Sequence, residues 1–365
     1  MSTIQEVMTH LESIAPRQLQ ESYDNSGLLT GNPSWKVSGA LLTLDCTEEI
    51  VEEAIAQKCN LIIAHHPIVF KGLKSFTGKS YVERTVIKAI KNDVAIYALH
   101  TNLDNVHQGV NKKIAQKIGL VNCRILSPNK TSLSKLVTFV PYENVDEVLA
   151  ALYKAGAGQI GDYKNCSFQM DGTGTFLPTE GTDPHIGTIN KQEQVSEKRI
   201  EVLLPDYLSR QVLNSLLDAH PYEEVAYYLT KLENTNQDVG AGMVGDLPSP
   251  EEPISFLSRL KKVMNIKMVR HTALPEKSIS KIAVCGGAGS FLLPEAKNAK
   301  ADLFISADFK YHEFFDAEGE IAIADIGHYE SEQFTVELFK ELLSEKFTTF
   351  AIIFSKIDTN PISYF

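Results

Sequence analysis

The chain has 365 residues, of which 43% are hydrophobic and 22% are charged, and its formal net charge is −11. This composition is typical of a folded globular protein that is long enough for two domains. The acidic balance argues against a protein that binds nucleic acid mainly by electrostatic attraction, although a local basic patch remains compatible with it. No apolar run approaches the roughly 20 residues that a membrane-spanning helix needs.

The cysteines are scattered, odd in number and never spaced as C-x-x-C. This usage favours reduced thiols over a disulfide framework or a thiolate zinc site. The first residues also lack a basic segment followed by an apolar leader, so we expect a soluble, cytoplasmic protein. The five cysteines are Cys46, Cys59, Cys123, Cys166 and Cys285.

The first third of the chain alternates helical and strand patterns. Apolar residues recur at helical spacing over Ile4–Ile14, which predicts an opening helix. The apolar segment Val37–Leu44 predicts a strand that ends at Asp45, and Thr47 is placed to cap the helix that follows. A strand, a helix and a further strand in this order are typical of a parallel α/β layer.

The next predicted strand, Leu61–Ala64, ends in two adjacent histidines and a proline. Neighbouring residues of a regular strand point to opposite faces, so two imidazoles converge only where the pleat stops. Pro67 stops the pleat directly after His66. This arrangement predicts that His65 and His66 contribute to one metal site.

The same alternation continues toward residue 120. A helix is predicted over Ser80–Lys91, a strand over Val94–Leu99 and a helix over about Val106–Ile118. Between the last two lies His100-Thr101-Asn102-Leu103-Asp104, and we expect Asp104 at the start of a helix. An aspartate at that position is also a common N-cap, which is the plain structural interpretation.

From about Ser134 the order becomes βαββαβ, which predicts a small ferredoxin-like domain. The predicted strands are 136–140, 163–170, 199–204 and 224–232, and the predicted helices are 145–155 and 206–217. Residues 234–237 are interpreted as an exit linker. The α/β pattern then resumes with strands at 282–285, 303–305, 321–324 and 350–354, the last of which is expected to close the sheet.

The predicted fold class is therefore α/β, with one discontinuous α/β domain and an inserted ferredoxin-like α+β domain. The predicted boundaries are 1–128 and 236–365 for the α/β domain and 129–235 for the insert. Two glycine-rich segments, Gly240–Gly245 and Gly286–Ser290, are interpreted as structural turns. The second lacks the lysine of a phosphate-binding P-loop and the spacing of a dinucleotide fingerprint.

Ligands of α/β sheets gather beyond the carboxyl ends of the strands. Histidines and carboxylates follow several predicted strands, and His328 and Glu332 are four residues apart, which places them on one face if a helix begins there. Three imidazoles and two carboxylates exceed what one catalytic zinc ion takes and suit two divalent ions that share a carboxylate. The proposed ligand set is His65, His66, Asp104, His328 and Glu332.

These nitrogen and oxygen donors fit Zn, Fe, Mn, Co or Ni and do not select one of them. Zinc is the ion we expect. His100, Asp308 and His312 follow strand ends as well. They are candidates to orient the ligands or to move a proton during catalysis. Core packing and helix capping are the alternative roles for these three residues.

Five motifs together resemble the GTP cyclohydrolase 1 type 2 homologues, also called Nif-three-like proteins, along nearly the whole chain. They are Asp24-Asn25-Ser26-Gly27-Leu28, Ile63-Ala64-His65-His66-Pro67, His100-Thr101-Asn102-Leu103-Asp104, Ser306-Ala307-Asp308-Phe309-Lys310-Tyr311-His312, and Gly327-His328 through Glu332.

The resemblance implies that all five proposed ligands bind metal. It implies that His65 and His328 serve one ion, that His66 and Asp104 serve the other, and that Glu332 bridges both. It further implies a homohexamer built as a trimer of dimers, and an insert similar to PII/CutA-like domains. The cyclohydrolase name itself rests on no residue of this sequence that recognises guanine or triphosphate.

Two functions follow as expectations. The first is a metal-dependent hydrolase in which a metal-bridging water attacks a small nucleotide-like or phosphorylated substrate. The second is a non-enzymatic metal-bound hexamer that acts as a scaffold, a sensor or a metallochaperone, with an insert that senses a ligand. Ligand binding to the insert that survives replacement of His65 and His66 would favour the second.

Overall fold

The computed structural model describes residues 2–130 and 132–365. The chain divides into a main unit, Met1–Pro128 with Gln237–Phe365, and an inserted unit, Asn129–Asn236. The insert expected from the sequence, 129–235, differs from this inserted unit by one residue at its end. In the described ranges, no helix has the length and apolar character that crossing a membrane requires.

The elements before the insert alternate between strands and helices. They are α1 (Ile4–Ile14), β1 (Gly27–Thr30), β2 (Gly39–Thr43), α2 (Glu48–Ala56), β3 (Leu61–Ala64), α3 (Tyr81–Lys91), β4 (Ala95–Ala98), α4 (Thr101–Asp104), α5 (Val110–Lys117) and β5 (Val121–Asn129). The inserted unit adds β6 (Leu133–Pro141), α6 (Val145–Lys154), β7 (Phe168–Phe176), β8 (Glu193–Pro205), α7 (Ser209–Ala219) and β9 (Tyr227–Leu232).

The elements after the insert return to the main unit. They are β10 (Asn236–Glu251), α8 (Pro253–Val263), β11 (Arg270–His271), β12 (Ile279–Ala288), α9 (Leu293–Asn298), β13 (Leu303–Ala307), β14 (Ala322–Asp325), α10 (His328–Glu332), α11 (Thr335–Ser344) and β15 (Ala351–Phe354).

Local sequence signals explain where several helices begin. Thr3 and Glu6 form a capping box at α1, in which Thr3 Oγ1 accepts from the Glu6 amide and the Glu6 carboxylate accepts from the Thr3 amide. Ser80 caps α3 in a similar way by accepting from the Glu83 amide. Thr47 occupies the N-cap position of α2 but makes no capping hydrogen bond, so its predicted capping role is wrong.

The described part of the main unit contains two sheets rather than the single sheet expected from the sequence. The first has the strand order β1–β4–β3–β2–β15, and the second has the order β11–β14–β13–β12–β10–β5. Strand β15 pairs parallel with β2, so the end of the chain returns to the first sheet instead of closing the second. Sequence periodicity identifies strands but does not say which strands pair, and this explains the error.

The parallel register brings the functional segments to common edges. In the first sheet Thr43 pairs with Ala64, and Ala64 pairs with Ala98, so β2, β3 and β4 end at the same level. In the second sheet Ser306 of β13 pairs with Asp325 of β14. The residues that follow these strand ends therefore share one edge of each sheet.

Apolar side chains fill the space between the two sheets of the main unit. Leu42, Ile63 and Tyr97 of the first sheet belong to the same buried cluster as Val284 and Ile305 of the second. Separate clusters cover the outer face of the first sheet beneath α2 and α3, and the outer face of the second sheet beneath α9. The two sheets are thus rigid layers that hold their carboxyl edges in place.

The inserted unit has the element order βαββαβ and an antiparallel sheet in the order β7–β8–β6–β9. This topology is the ferredoxin-like one, which confirms the predicted fold class. Helices α6 and α7 pack on one face, where Leu136 of β6 and Ile200 of β8 meet Leu152 and Leu216 of the helices.

The sequence also misplaced strands in exposed and glycine-rich segments. The strand expected over 163–170 is instead Phe168–Phe176, because glycines and threonines sustain an exposed edge strand that lacks apolar alternation. The segments read as a linker at 234–237 and as a turn at Gly240–Gly245 contribute to β10, Asn236–Glu251. Glycine-rich sequence hid this strand, in which Gly240 has a φ of 155° and Gly242 one of 64°.

Candidate metal centre

The five predicted ligands converge where the carboxyl edges of the two sheets of the main unit meet. His65 and His66 follow β3, and their rings remain on the same side, with centroids 4.9 Å apart. The backbone leaves the strand directly after Ala64. The His66 amide donates to the Leu44 carbonyl at 3.0 Å and does not extend the hydrogen-bond ladder between β2 and β3. His328 and Glu332 are the first and last residues of α10.

One group of donor atoms consists of His65, Asp104 and Glu332. His65 Nε2 lies 3.7 Å from Asp104 Oδ1 and 3.7 Å from Glu332 Oε1. His65 is fully buried, and within residues 2–130 and 132–365 neither its Nε2 nor Asp104 Oδ1 has a hydrogen-bond partner. Buried polar atoms are normally satisfied, so two unsatisfied atoms that face each other indicate a bound group between them.

A second group consists of His66, His328 and the other oxygen of Glu332. Glu332 Oε2 lies 3.0 Å from His66 Nε2 and 3.2 Å from His328 Nε2, and the two ring nitrogens are 3.3 Å apart. Glu332 is only 3% exposed, and it presents one oxygen to each group. The carboxylate is the link between the two groups.

Each of these histidines also has an acceptor on its other ring nitrogen. His65 Nδ1 donates to the Leu99 carbonyl at 2.8 Å, His66 Nδ1 to Asp45 Oδ1 at 2.8 Å, and His328 Nδ1 to Asp308 Oδ2 at 2.7 Å. Because Nδ1 is the donating nitrogen of each ring, the neutral form of each imidazole carries its lone pair on Nε2, the nitrogen that faces the carboxylates. A carbonyl or carboxylate behind a ligating imidazole is the usual support of a metal-bound histidine.

The protein groups of the centre alone leave an excess of negative charge. Burial and the neighbouring Glu332 charge raise the pKa of Asp104. Burial lowers the pKa of His66, but Asp45 and Glu332 outweigh it and raise the pKa to about 10. His328 shows the same balance, with burial opposed mainly by Glu332 and a resulting pKa of about 9. A cation placed between these groups would supply the missing positive charge.

His100 forms a third group with His65 and His66. Its ring centroid lies 5.3 Å from that of His65 and 5.4 Å from that of His66. His100 Nδ1 donates to Asp24 Oδ1 at 2.8 Å, and Asp24 also accepts from the backbone amide of Thr101 at 3.0 Å. Asp24 thereby fixes the orientation of the His100 ring beside His65 and His66.

The comparisons with known proteins identify the family of this chain. The Duf34/NIF3 (NGG1p interacting factor 3) family matches residues 2–361 of the chain. The chain belongs to this family. Among its relatives, a "GTP cyclohydrolase 1 type 2 homolog" of Halalkalibacterium halodurans is 37% identical over 99% of this chain and 98% of its own length. The protein of the same name from Bacillus subtilis is 34% identical over 99% of this chain and 98% of its own length.

Solved structures of family members share the whole fold. A Bacillus cereus protein related to NIF3 superposes with a TM-score of 0.86 at 36% identity, covering 100% of this chain and 99% of its own. A Staphylococcus aureus protein superposes with a TM-score of 0.78 at 29% identity, again covering 100% and 99%. The resemblance drawn from the motifs is therefore confirmed, and the clusters of His, Asp and Glu are compatible with metal binding.

The structure corrects two details of the expected site. The donor groups pair His65 with Asp104 and His66 with His328, instead of His65 with His328 and His66 with Asp104. Both rings lie on the same side of the chain, but the Leu99 carbonyl behind His65 and the Asp45 carboxylate behind His66 direct the two Nε2 atoms toward different donors. In addition, Asp104 closes the one-turn helix α4 and does not begin a helix.

The three additional candidates have different positions. Asp308 supports His328 and His100 faces the centre, as described above. His312 is exposed in the segment Tyr311–Ala317, where its ring lies 5.2 Å from that of Tyr311. In the part of the chain that the structure describes, His312 makes no hydrogen bond or ion pair with any of the five predicted ligands.

Sequence reasoning missed the glycine that makes room for Glu332. Gly287 has a φ of 61°, and a Cβ there would lie 2.5 Å from Glu332 Oε1. Its amide donates to Ser331 Oγ at 2.9 Å, which ties the end of β12 to α10. The segment Gly286–Ser290, interpreted from the sequence as a tight turn, instead continues the end of β12 through Ala288, and the register with β13 shifts between Val284 and Ala288.

Proposed function

We propose that this chain is a metal-dependent hydrolase that holds two divalent ions, with zinc favoured, and acts on a small nucleotide-like or phosphorylated substrate. The observation that carries the proposal is the division of the donors into two groups joined by the two oxygens of Glu332. His65 and Asp104 would hold one ion, and His66 and His328 the other. When bound, such a pair lowers the pKa of water and polarises a substrate oxygen.

A cavity beside His66 supports a small-molecule substrate. It has a volume of about 630 Å³ and is lined by Asp45, Phe70, Lys71 and Tyr81 as well as by His66. Lysine is a suitable partner for a phosphate, and exposed aromatic rings offer faces on which a base can stack. Cavities of this volume are typical of small-molecule sites.

His100 is positioned to move a proton in this reaction. Asp24 accepts from its Nδ1, so the imidazole is held in one orientation and its Nε2 is directed at the centre. In hydrolysis the water oxygen attacks as the bond to the leaving group breaks; His100 Nε2 can take the proton that the water gives up and deliver it to the leaving group. Replacing such an acid or base lowers turnover by about 10²- to 10⁴-fold.

The test is turnover of a panel of nucleotides and phosphoesters by the apoprotein with Zn, Mn, Fe, Co or Ni added back. We expect metal-stimulated hydrolysis by the wild type, turnover at least about 100-fold lower for His100→Gln, and an unchanged metal content in that variant. Metal binding without turnover of any compound would favour the non-enzymatic alternative. Loss of metal from His100→Gln would instead make His100 a ligand.

We expect the carboxylate behind His328 to control metal affinity without touching the ion. Asp308 has a φ of 58°, a left-handed conformation that asparagine also tolerates, so Asp308→Asn removes the charge and preserves the backbone. The loss of such a supporting carboxylate weakens metal binding by about 10- to 100-fold. Competition with a chromogenic chelator measures this change, and Asp316→Asn, an exposed position in the neighbouring segment, is the control. Equal affinities in the two variants would contradict the role of Asp308.

A further inference from the structure

The inserted unit contains a cavity on the face of its sheet that carries no helix. Leu136 and Ile200 face α6 and α7, and Phe139 and Glu197 each lie three residues from one of them. Because neighbouring strand residues point to opposite faces, Phe139 and Glu197 project away from the helices. The segment 177–192 and the turn at 220–224 fold over one end of this face and enclose about 650 Å³. The Asp183 amide donates to Glu223 Oε1 at 2.9 Å and joins these two covering segments.

The walls of this cavity are largely aromatic. The Tyr222 ring lies 6.0 Å from that of Phe176, and the Phe139 ring lies 5.8 Å from that of Tyr228, both with edge-to-face geometry. All four residues line the cavity. The face of an aromatic ring carries partial negative charge and attracts cations. Flat apolar groups also stack on it.

A buried carboxylate lies among these rings. Glu197 is only 7% exposed, and Tyr222 donates its hydroxyl to Glu197 Oε1 at 2.8 Å. Within the described residues, Glu197 makes no other side-chain hydrogen bond and no ion pair. The chain makes space for the free oxygen, since a Cβ at Gly174 would lie 2.2 Å from Glu197 Oε2. A buried charge without a counterion is destabilising, so the cavity favours a cationic occupant.

The basic residues next to Glu197 are already engaged elsewhere. Lys198 pairs with Asp171 at 2.8 Å, and Arg199 pairs with Glu201 at 2.7 Å. Arg199 and the carboxylates of Asp171, Glu197, Glu223 and Glu224 line the cavity, so negative groups outnumber positive ones among its described lining residues. An anionic ligand would therefore meet net repulsion.

We propose that this cavity binds a small organic cation that carries N–H donors on an apolar, ring-sized body. The N–H groups would bind Glu197 Oε2, and the apolar body would fit against Phe139, Phe176 and Tyr222. A bare divalent ion fits poorly, because Ca²⁺ and Mg²⁺ take six or more oxygen ligands and these walls are apolar. Such a site would give the inserted unit a binding function of its own.

The experiment uses the full chain with benzamidine as the cationic probe and benzamide as the neutral probe of nearly the same shape. Calorimetric titration should show saturable binding of benzamidine, and binding of benzamide at least about tenfold weaker. Glu197→Gln should weaken benzamidine binding by at least about tenfold, because it removes the charge and preserves the shape. Glu180→Gln, an exposed position outside the lining, should bind benzamidine like the wild type.

Thermal unfolding separates loss of binding from loss of folding. Without probe, Glu197→Gln should melt no lower than the wild type, since it removes an unpaired buried charge, and benzamidine should raise only the wild-type melting temperature. A further variant checks the space around the carboxylate. Gly174→Ala should weaken binding, because its Cβ would lie 2.2 Å from the present position of Glu197 Oε2.

Three results would overturn the proposal: no saturable benzamidine binding by the wild type, equal binding of benzamide, or undiminished benzamidine binding by Glu197→Gln. None of them depends on the metal centre, whose metal content should be the same in all these variants.

Discussion

Replacing Glu332 by glutamine should abolish the binding of both proposed metal ions. Each oxygen of this carboxylate faces a different donor group, with Oε1 3.7 Å from His65 Nε2 and Oε2 3.0 Å from His66 Nε2. Glutamine preserves the size of the side chain but offers one carbonyl oxygen and no charge. We expect the metal content to fall from about two ions per chain to near zero, measured by elemental analysis after dialysis.

Variants that change a residue of only one donor group should behave differently from Glu332→Gln. Asp104 reaches only the group of His65, and His328 reaches only the group of His66. We therefore expect Asp104→Asn and His328→Ala each to lose about one ion of the two. If His66 and Asp104 shared one ion, as the resemblance implies, Asp104→Asn would instead disturb the ion bound by His66.

A matched control lies in the same helix. Glu330 is also buried, but its Oε1 accepts from Asn360 at 3.0 Å and from Tyr364 at 3.1 Å rather than facing the centre. Glu330→Gln should retain both ions. If Glu332→Gln bound as much metal as Glu330→Gln, the assignment of Glu332 as the shared ligand would be wrong.

The position of the centre could be predicted because strand ends are visible in sequence. His65-His66-Pro67 marks the end of an apolar strand, and parallel strands deliver such ends to one edge. The helical spacing of His328 and Glu332 likewise corresponds to α10 in the structure. These signals need only local sequence and one rule about parallel sheets.

The division of the ligands between the two groups could not be predicted in this way. It depends on which direction each histidine takes after β3, and the partners on the other ring nitrogens set that direction. The Leu99 carbonyl holds His65 and Asp45 holds His66. A backbone carbonyl has no signature in sequence, and Asp45 lies 21 residues from His66, so its role becomes visible only once strand register is known.

The two sheets of the main unit could not be predicted for a related reason. Strands β2, β3, β4, β12, β13, β14 and β15 were recognisable by their apolar residues, but β15 pairs with β2 across more than 300 residues of sequence. Phe339 and Leu343 of α11 belong to the buried cluster that contains Leu42 of β2, and Ile352 of β15 packs against the same cluster. Long-range partners of this kind carry no local pattern.

Gly287→Ala should release one ion although the residue binds no metal. A Cβ at this position would lie 2.5 Å from Glu332 Oε1 and 3.2 Å from His328 Cε1, so the carboxylate must move away from His65. Oε1 belongs to the donor group of His65 and Asp104. We expect this group to lose its ion, while the group of His66 and His328 keeps the other ion. The expected loss of affinity in the first group is about 100-fold, comparable to the loss of a supporting group.

Gly319→Ala separates this effect from backbone strain. Gly287 and Gly319 have φ values of 61° and 71°, so alanine costs about 1–2 kcal/mol of backbone free energy at either position. A Cβ at Gly319 meets no atom of the described chain within 4 Å. Urea unfolding of the metal-free proteins should therefore show similar destabilisation in both variants, while chelator competition should show weakened metal binding in Gly287→Ala alone. Wild-type affinity at both sites of Gly287→Ala would mean that Glu332 Oε1 is not a ligand, because the clash would then displace an oxygen that no ion needs.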